Sequence, residues 1–379
     1  MRYAIVNSDV YTSKEVLIDK AVIINGNMIE DLVEIDRVPK EIETIDAEGK
    51  ILAPGFIDIQ VNGGGGVLFN DAPTVESINT IFSAHLKYGV TSILPTLISD
   101  DVEKMKQAID SVEQMMKIAG NHTLGIHLEG PYIEVSKAGV HEKKHIRKIS
   151  LGELKTILDS TSAVKLITLA PELLDSSSMK YLLEKNIVMF AGHTNASFNT
   201  CNEFFKNGGK GATHLFNAMS QLTGREPGVV GATFFNKNAK GGIIVDGHHV
   251  DLHNVAIASR LMKGRLFLVT DSMPSVGSEI ESFNIGEVTI FCKDGKCVTA
   301  DGTIGGSNLN MLLAVRNCVS KCGIPLDEAL RMSSTYQAEL LGYGHILGKI
   351  SPGYHANLIL IDNTVHIHAT IVNGEYEKR

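Results

Sequence analysis

Three side chains end three separate apolar runs of this 379-residue chain: Glu129 in GIHLEG, His193 in MFAGH and His214 in ATHLF. Two imidazoles and one carboxylate are a common donor set for a catalytic divalent cation with one open position. A single histidine at a strand end is more often a core or surface group, and Glu129 alone could be half of a buried ion pair. Together, at three strand ends, they predict a metal centre. Asp271, in LFLVTDS, ends a further run. A carboxylate beside such a centre can take a proton from water and return it to a leaving group. Its plainer role would be to cap the following segment. His141, in KAGVHEKKH, sits in a long loop, where it could polarise a substrate carbonyl or simply be solvated among lysines.

Something must gather these residues. Apolar runs recur at GFIDIQVN, SILPTL, LGIHLEG, KLITLAP, VMFAGH, GATHLFN, GGIIVDG and LFLVTD, with amphipathic stretches between many of them. Eight strands alternating with helices predict a (β/α)8, TIM-like barrel. Six of the runs end at or just before Asn62, Glu129, His193, His214, Asp246 and Asp271, and the C-terminal strand ends of such a barrel meet at one mouth. In FIDIQVNGGGG, Asp58, Gln60 and Asn62 alternate with Ile57, Ile59 and Val61, so the polar face points into the barrel. The glycines after it lack the Lys-Ser/Thr of a phosphate loop and read as a flexible connection. In DDVEKMKQAIDSVEQMMKIAG, Asp100 is the expected N-cap and Gly120 the stop.

The ends of the chain have another texture. AVIINGNMIEDLVEI and ANLILIDNTVHIHATIVNGEYEKR each place Asn-Gly between alternating apolar residues, a hairpin signal. Neither could bury a core alone, so the two predict one small, discontinuous β-sandwich domain from residues 1–53 and 347–379, with the barrel at 54–346. The formal net charge of −8 argues against general nucleic-acid binding and against an electrostatic membrane anchor. The N-terminal segment does not read as a signal peptide, no apolar run would span a bilayer, and the expected location is the cytoplasm. Five cysteines do not suggest a disulfide framework and read as small buried thiols.

The motifs LAPGFIDIQVNG, GIHLEGPY, AGHTNA, ATHLFNAM, TGREPG, DGHHVD and LVTDS resemble the amidohydrolase superfamily, and within it the N-acetylglucosamine-6-phosphate deacetylases, nearly end to end. The resemblance implies hydrolysis of the N-acetyl group of a sugar phosphate, to the free amine and acetate, in amino-sugar catabolism or cell-wall recycling. It implies that Glu129, His193 and His214 bind the cation, zinc first with iron, cobalt or manganese as alternatives, and that Asp271 is the acid/base. His141 and Val140 would meet the acetamide, Asn217 and Ala218 would offer polar contacts, and Ile304, Gly305 and Gly306 would line the sugar side. Arg225 would hold the phosphate, joined by His249 from a neighbouring subunit of a homodimer. Many amidohydrolases place His-x-His at the end of strand one for a second metal. Here Gln60 and Asn62 stand there, and neutral amides are poor transition-metal ligands, so a single-metal site is expected. An N-acetylgalactosamine-6-phosphate deacetylase or another N-acyl amidohydrolase is the nearest alternative. A catalytically dead barrel acting as an interaction protein is the remote one, since all four chemical residues are present.

Overall fold

The computed structural model describes all 379 residues, Met1 to Arg379. Eight strands form one parallel sheet: β1 (Phe56–Val61), β2 (Val90–Ile98), β3 (Ile126–Glu129), β4 (Val164–Leu169), β5 (Val188–Ala191), β6 (Gly211–Ala212), β7 (Lys240–Ile243) and β8 (Leu266–Leu268), each beside its sequence neighbour. The register runs Ile98 beside Glu129 and Glu129 beside Thr168, so the C-terminal ends stay level. Past β8 the chain meets β1 again: Val61 bridges Ser272 in parallel, and Asp271 N donates to Gln60 O at 3.0 Å. That contact closes the ring and makes the sheet a (β/α)8 barrel.

These strands read as nearly unbroken apolar runs because a parallel sheet under helices is buried on both faces. All nine residues of β2 and all six of β1 are buried, Asp58 and Gln60 included. Gly211 of β6 and Gly242 of β7 sit where a side chain would crowd its neighbours, aromatic rings among them. A side chain at Gly211 would come within 2.9 Å of the Phe190 ring, and one at Gly242 within 3.2 Å of Phe267. Those two rings lie 6.0 Å apart, each 1% exposed. The helix Val102–Met116 begins one residue later than the sequence suggested. Asp101, not Asp100, is its N-cap, accepting from Lys104 N at 2.8 Å. Asp100 is instead engaged by Asn70 Nδ2 at 3.1 Å.

Both ends of the chain share a seven-stranded sheet, in which Leu358–Ile361 pairs antiparallel with Glu43–Pro54. Its core holds Tyr3, Ile5, Val22, Ile24, Leu52, Leu358, Leu360 and Ile371. The sheet folds over this core as a small sandwich. Tyr3 Oη donates to Gly374 O at 3.0 Å, and a Cβ on Gly374 would strike Gly26 O, so the two Asn-Gly turns meet where only glycine fits. The chain separates into two compact units: Met1–Asp58 with Leu86–Ser92 and Met311–Arg379, and Ile59–His85 with Ile93–Asn310. The helices after Met311 thus group with the terminal segments, a different division from the boundaries at 53 and 347. Arg316 Nη2 donating to Val365 O at 3.0 Å and Thr335 Oγ1 donating to Gly348 O at 2.7 Å are among the ties. No helix is long and apolar enough to cross a membrane.

After β8 comes a separate four-stranded antiparallel sheet, Ser282–Ile285, Val288–Lys293, Lys296–Val298 and Ile304–Ser307. Here the structure corrects the reading of five thiols. Cys292 and Cys297 are directly opposed across this hairpin and form a disulfide. Opposed residues on antiparallel strands bring their Cβ atoms within bonding range. Cys201, Cys318 and Cys322 are free and buried.

Phe267→Ala should destabilise the barrel by about 3–5 kcal/mol, the usual cost of a large aromatic cavity in a packed core. A shift in the urea-unfolding midpoint at unchanged slope measures it.

Candidate active site

Each chemical side chain sits at or just past the C-terminal end of a strand: Glu129 closes β3, His193 and His214 follow β5 and β6 by two residues, and Asp271 follows β8 by three. Three of these have left-handed backbone, with φ of +47° at His193, +29° at His214 and +52° at Asp271. Residues with a Cβ avoid this region, and such strain gathers where surroundings hold a side chain in a required place. The strand must turn sharply to aim its last side chain inward rather than along the run.

Glu129, His193 and His214 converge. Glu129 Oε1 lies 3.1 Å from His193 Nε2 and 3.0 Å from His214 Nε2, and the two Nε2 atoms are 3.0 Å apart. All three residues are 2–6% exposed. His193 Nδ1 donates to Lys137 O at 2.8 Å, and a carbonyl can only accept, so the neutral ring has its lone pair on Nε2, aimed at the cluster. That is the tautomer a metal needs. Burial opposes ionisation of Glu129, yet the hydrogen bonds and charges of both histidines hold its carboxyl well below the usual range. Burial likewise opposes a proton on His214, and the bond to Glu129 outweighs it, raising the pKa. Three buried donor atoms that strain to keep a positive charge among them fit a divalent cation, and they are the one group in the chain with that geometry.

The amides of β1 join the carboxylates. Gln60 Nε2 donates to Glu129 Oε2 and to Asp271 Oδ1, both at 3.2 Å, and Asn62 Nδ2 donates to Asp271 Oδ1 at 2.7 Å. Asn62 Oδ1 is buried with no partner. Burial first, and then the charge of Glu129, push the Asp271 carboxyl up to about 6, against the pull of His214, His249 and Asn62. A group poised there can both accept and return a proton near neutrality. His141 is fixed from the other side. Ser99 N donates to its Nδ1 at 3.2 Å, with Ser99 Oγ 2.8 Å from the same atom. An amide can only donate, so the hydrogen sits on His141 Nε2 and is left for the cavity. Burial, helped by His193, pushes this imidazole down to about 3, so it is a neutral donor.

Asn62, Glu129, His141, His193, His214 and Asp271 line one cavity of about 320 Å³ together with Val140, Asn217, Ala218, His249, Ile304 and Gly306. Gly305 is buried behind the wall, where a Cβ would come 3.1 Å from Val140 Cγ1. His249 lines this cavity in its own chain, where Asp246 Oδ2 lies 2.6 Å from its Nδ1 and Asp246 Oδ1 accepts from its backbone N–H. Arg225 is exposed and lies outside that lining. Its loop is pinned by Glu226, which accepts from Phe198 N and Gly228 N, leaving Arg225 at the tip. Sequence reading passed over Ser99 and Lys137. Ser99 follows β2 by one residue, so the strand-end rule applied evenly would have found it; Lys137 acts through its carbonyl, which no residue type reveals.

The pattern of the Amidohydrolase family matches residues 51–376, and that of the NagA composite domain residues 2–52. An N-acetylglucosamine-6-phosphate deacetylase of Haemophilus influenzae is 38% identical over 382 residues, covering 100% of both chains. An N-acetylgalactosamine-6-phosphate deacetylase of Shewanella is 38% identical over 327 residues, 86% of this chain and 82% of that one. The crystal structure of N-acetylglucosamine-6-phosphate deacetylase from Pasteurella multocida superimposes with a TM-score of 0.96 at 39% identity, covering 100% of each chain. A barrel that gathers Glu129, His193 and His214 beside Asp271, matched over its whole length, leads to one conclusion: the chain belongs to the amidohydrolase family, in the branch that holds the N-acetylglucosamine-6-phosphate deacetylases.

Proposed function

We propose that this chain hydrolyses the N-acetyl group of N-acetylglucosamine 6-phosphate to glucosamine 6-phosphate and acetate. The observation that carries the reading is the meeting of a metal-fitting cluster, a carboxylate held near 6 and a neutral N–H donor in one cavity of substrate size. The names of the full-length relatives support the substrate. Glu129, His193 and His214 would hold one divalent cation, zinc in this proposal; bound there, such an ion polarises an amide carbonyl and acidifies water.

The chain's own residues do the rest. Asp271 takes a proton from the water that attacks the acetamide carbon. His141 Nε2–H donates to the carbonyl oxygen as negative charge grows on it, a contribution commonly worth about 3 kcal/mol. Asp271 then delivers its proton to the nitrogen, the C–N bond breaks, and the amine leaves neutral. Gln60 and Asn62 hold the Asp271 carboxylate against the cluster. Val140, Asn217, Ala218, His249, Ile304, Gly305 and Gly306 shape the sugar site. In this division residues 54–346 are the catalytic body, and 1–53 with 347–379 the accessory β domain.

The active form is a homodimer in this proposal. In it Arg225, exposed on its own chain, would meet a sugar phosphate in a partner's cavity, and exposed apolar Leu222 and Phe235 lie near it in sequence. A phosphorylated substrate suits the cytoplasm, the location in this proposal. The galacto epimer is a second reading, favoured by the Shewanella relative at the same identity. The ratio of kcat/KM on the two N-acetylhexosamine 6-phosphates, read by acetate release, decides between them.

Asp271→Asn should lower kcat by about 10²–10⁴-fold with metal content unchanged, and near-full activity would remove the assigned role. Because the carboxylate must be ionised to act as a base, activity is present above its pKa and lost as pH falls through it. A neighbouring cation pulls that value down, so the acid limb of kcat should fall at or below about pH 6. Arg225→Ala should lower kcat/KM for the phosphorylated substrate roughly 10–100-fold, the worth of a charged hydrogen-bonded contact, and leave the unphosphorylated sugar unaffected. Mixed with Asp271→Asn subunits, it should regain activity, since one site of each hybrid pair then has both groups.

A further inference from the structure

The helix Val75–Leu86 carries near its end a histidine that none of this chemistry uses. His85 is fully buried. Its Nε2 lies 3.0 Å from Gly63 O and 3.1 Å from Ser272 Oγ, and Ser272 Oγ donates to the same Gly63 O at 3.1 Å. Its Nδ1 is buried with no partner. A ring nitrogen that faces a carbonyl must donate, so the hydrogen is on Nε2, shared between two oxygens. Burial keeps this ring neutral, which suits a donor with one job.

The two residues it joins have telling neighbours. Gly63 follows Asn62, and Ser272 follows Asp271. Asn62 N and Gly63 N both donate to Ser272 O, at 3.1 and 2.9 Å, and this is where the ring of strands closes. Asp271 itself has a left-handed backbone that must be held from outside. The glycine run lets the histidine approach: a Cβ on Gly64 would stand 3.0 Å from Nε2, and one on Gly63 2.5 Å from Val67 O. Gly64, in the run after β1, is therefore a packing residue for an imidazole.

We propose that His85 is a positioning residue for the reaction: its Nε2–H clamps Gly63 to Ser272 and so sets where the Asp271 carboxylate stands relative to Asn62 and the attacking water. This rests on Asp271 acting as the base. Misplacing a reacting group by a fraction of an ångström to one ångström costs up to about 10²-fold, while substrate contacts elsewhere in the cavity stay intact. A residue that only stabilised the fold would move the unfolding temperature and leave the pH profile alone.

The test compares His85→Ala, His85→Gln and Ser272→Ala with the unaltered chain, all metal-loaded, for kcat, KM, the acid limb of kcat and metal content. His85→Ala should lose about 10–100-fold in kcat with KM within about twofold, full metal, and a displaced acid limb. His85→Gln, which offers an N–H in its place, should recover most of the loss. Ser272→Ala, the milder change, should move kcat and the acid limb in the same direction, and it decides the matter if His85→Ala does not fold. Unchanged kcat and an unmoved acid limb in the folded variants overturn the proposal, as does a loss that His85→Gln leaves unrepaired. Asp271→Asn measured alongside separates the two readings. If it keeps activity the base assignment falls; if it is inactive while His85→Ala is fully active, only the positioning role falls.

Discussion

One carboxylate oxygen shared by two buried imidazoles governs this molecule. Glu129 Oε1 faces His193 and His214 at 3.1 and 3.0 Å where water is nearly excluded. Taking such groups out of water is costly unless opposite charge compensates them. The site therefore demands positive charge, and the surrounding structure is arranged around that demand. Lys137 O fixes the tautomer of one imidazole, Gln60 braces the second carboxylate oxygen, and the same negative centre raises the pKa of Asp271. Moving Glu129 would disturb all three.

Precision at this centre comes from the barrel's seam. The strands bring six chain segments to one mouth, but a ring of eight short strands must close somewhere. It closes at Asp271, through Gln60, Asn62, Gly63 and Ser272. Placing the Asp271 carboxylate on the seam makes its position a direct reading of closure. The strained φ values at His193, His214 and Asp271 have the same origin, because side chains that must turn off the strand axis need backbones that regular strands do not supply.

The four-stranded sheet after β8 gives the cavity one wall through Ile304 and Gly306. Its apolar side packs Ile285, Ile290 and Cys297 with Leu68, Ile98 and Met273 of the barrel loops, so the wall is an extension of the core. Loops on a rigid frame are where one family changes substrates without changing chemistry.

The residue types and strand-end positions of Glu129, His193, His214 and Asp271 were legible in the sequence, as were the eight apolar runs and the paired terminal segments. Periodicity and residue chemistry are local properties, and a parallel barrel maps them onto geometry by a simple rule. The rest depended on folding. Whether His249 and Arg225 face the same cavity, which nitrogen of His141 carries hydrogen, and what the glycines after β1 pack against are relations between segments tens to hundreds of residues apart. The opposition of Cys292 and Cys297 is local, across the turn at Asp294-Gly295, but that their sulfurs bond was not read from the sequence. The sequence carries the chemical parts and the order of the strands. Only the tertiary structure decides tautomers, pKa values and neighbours, because these arise from burial and distance, which no linear spacing contains.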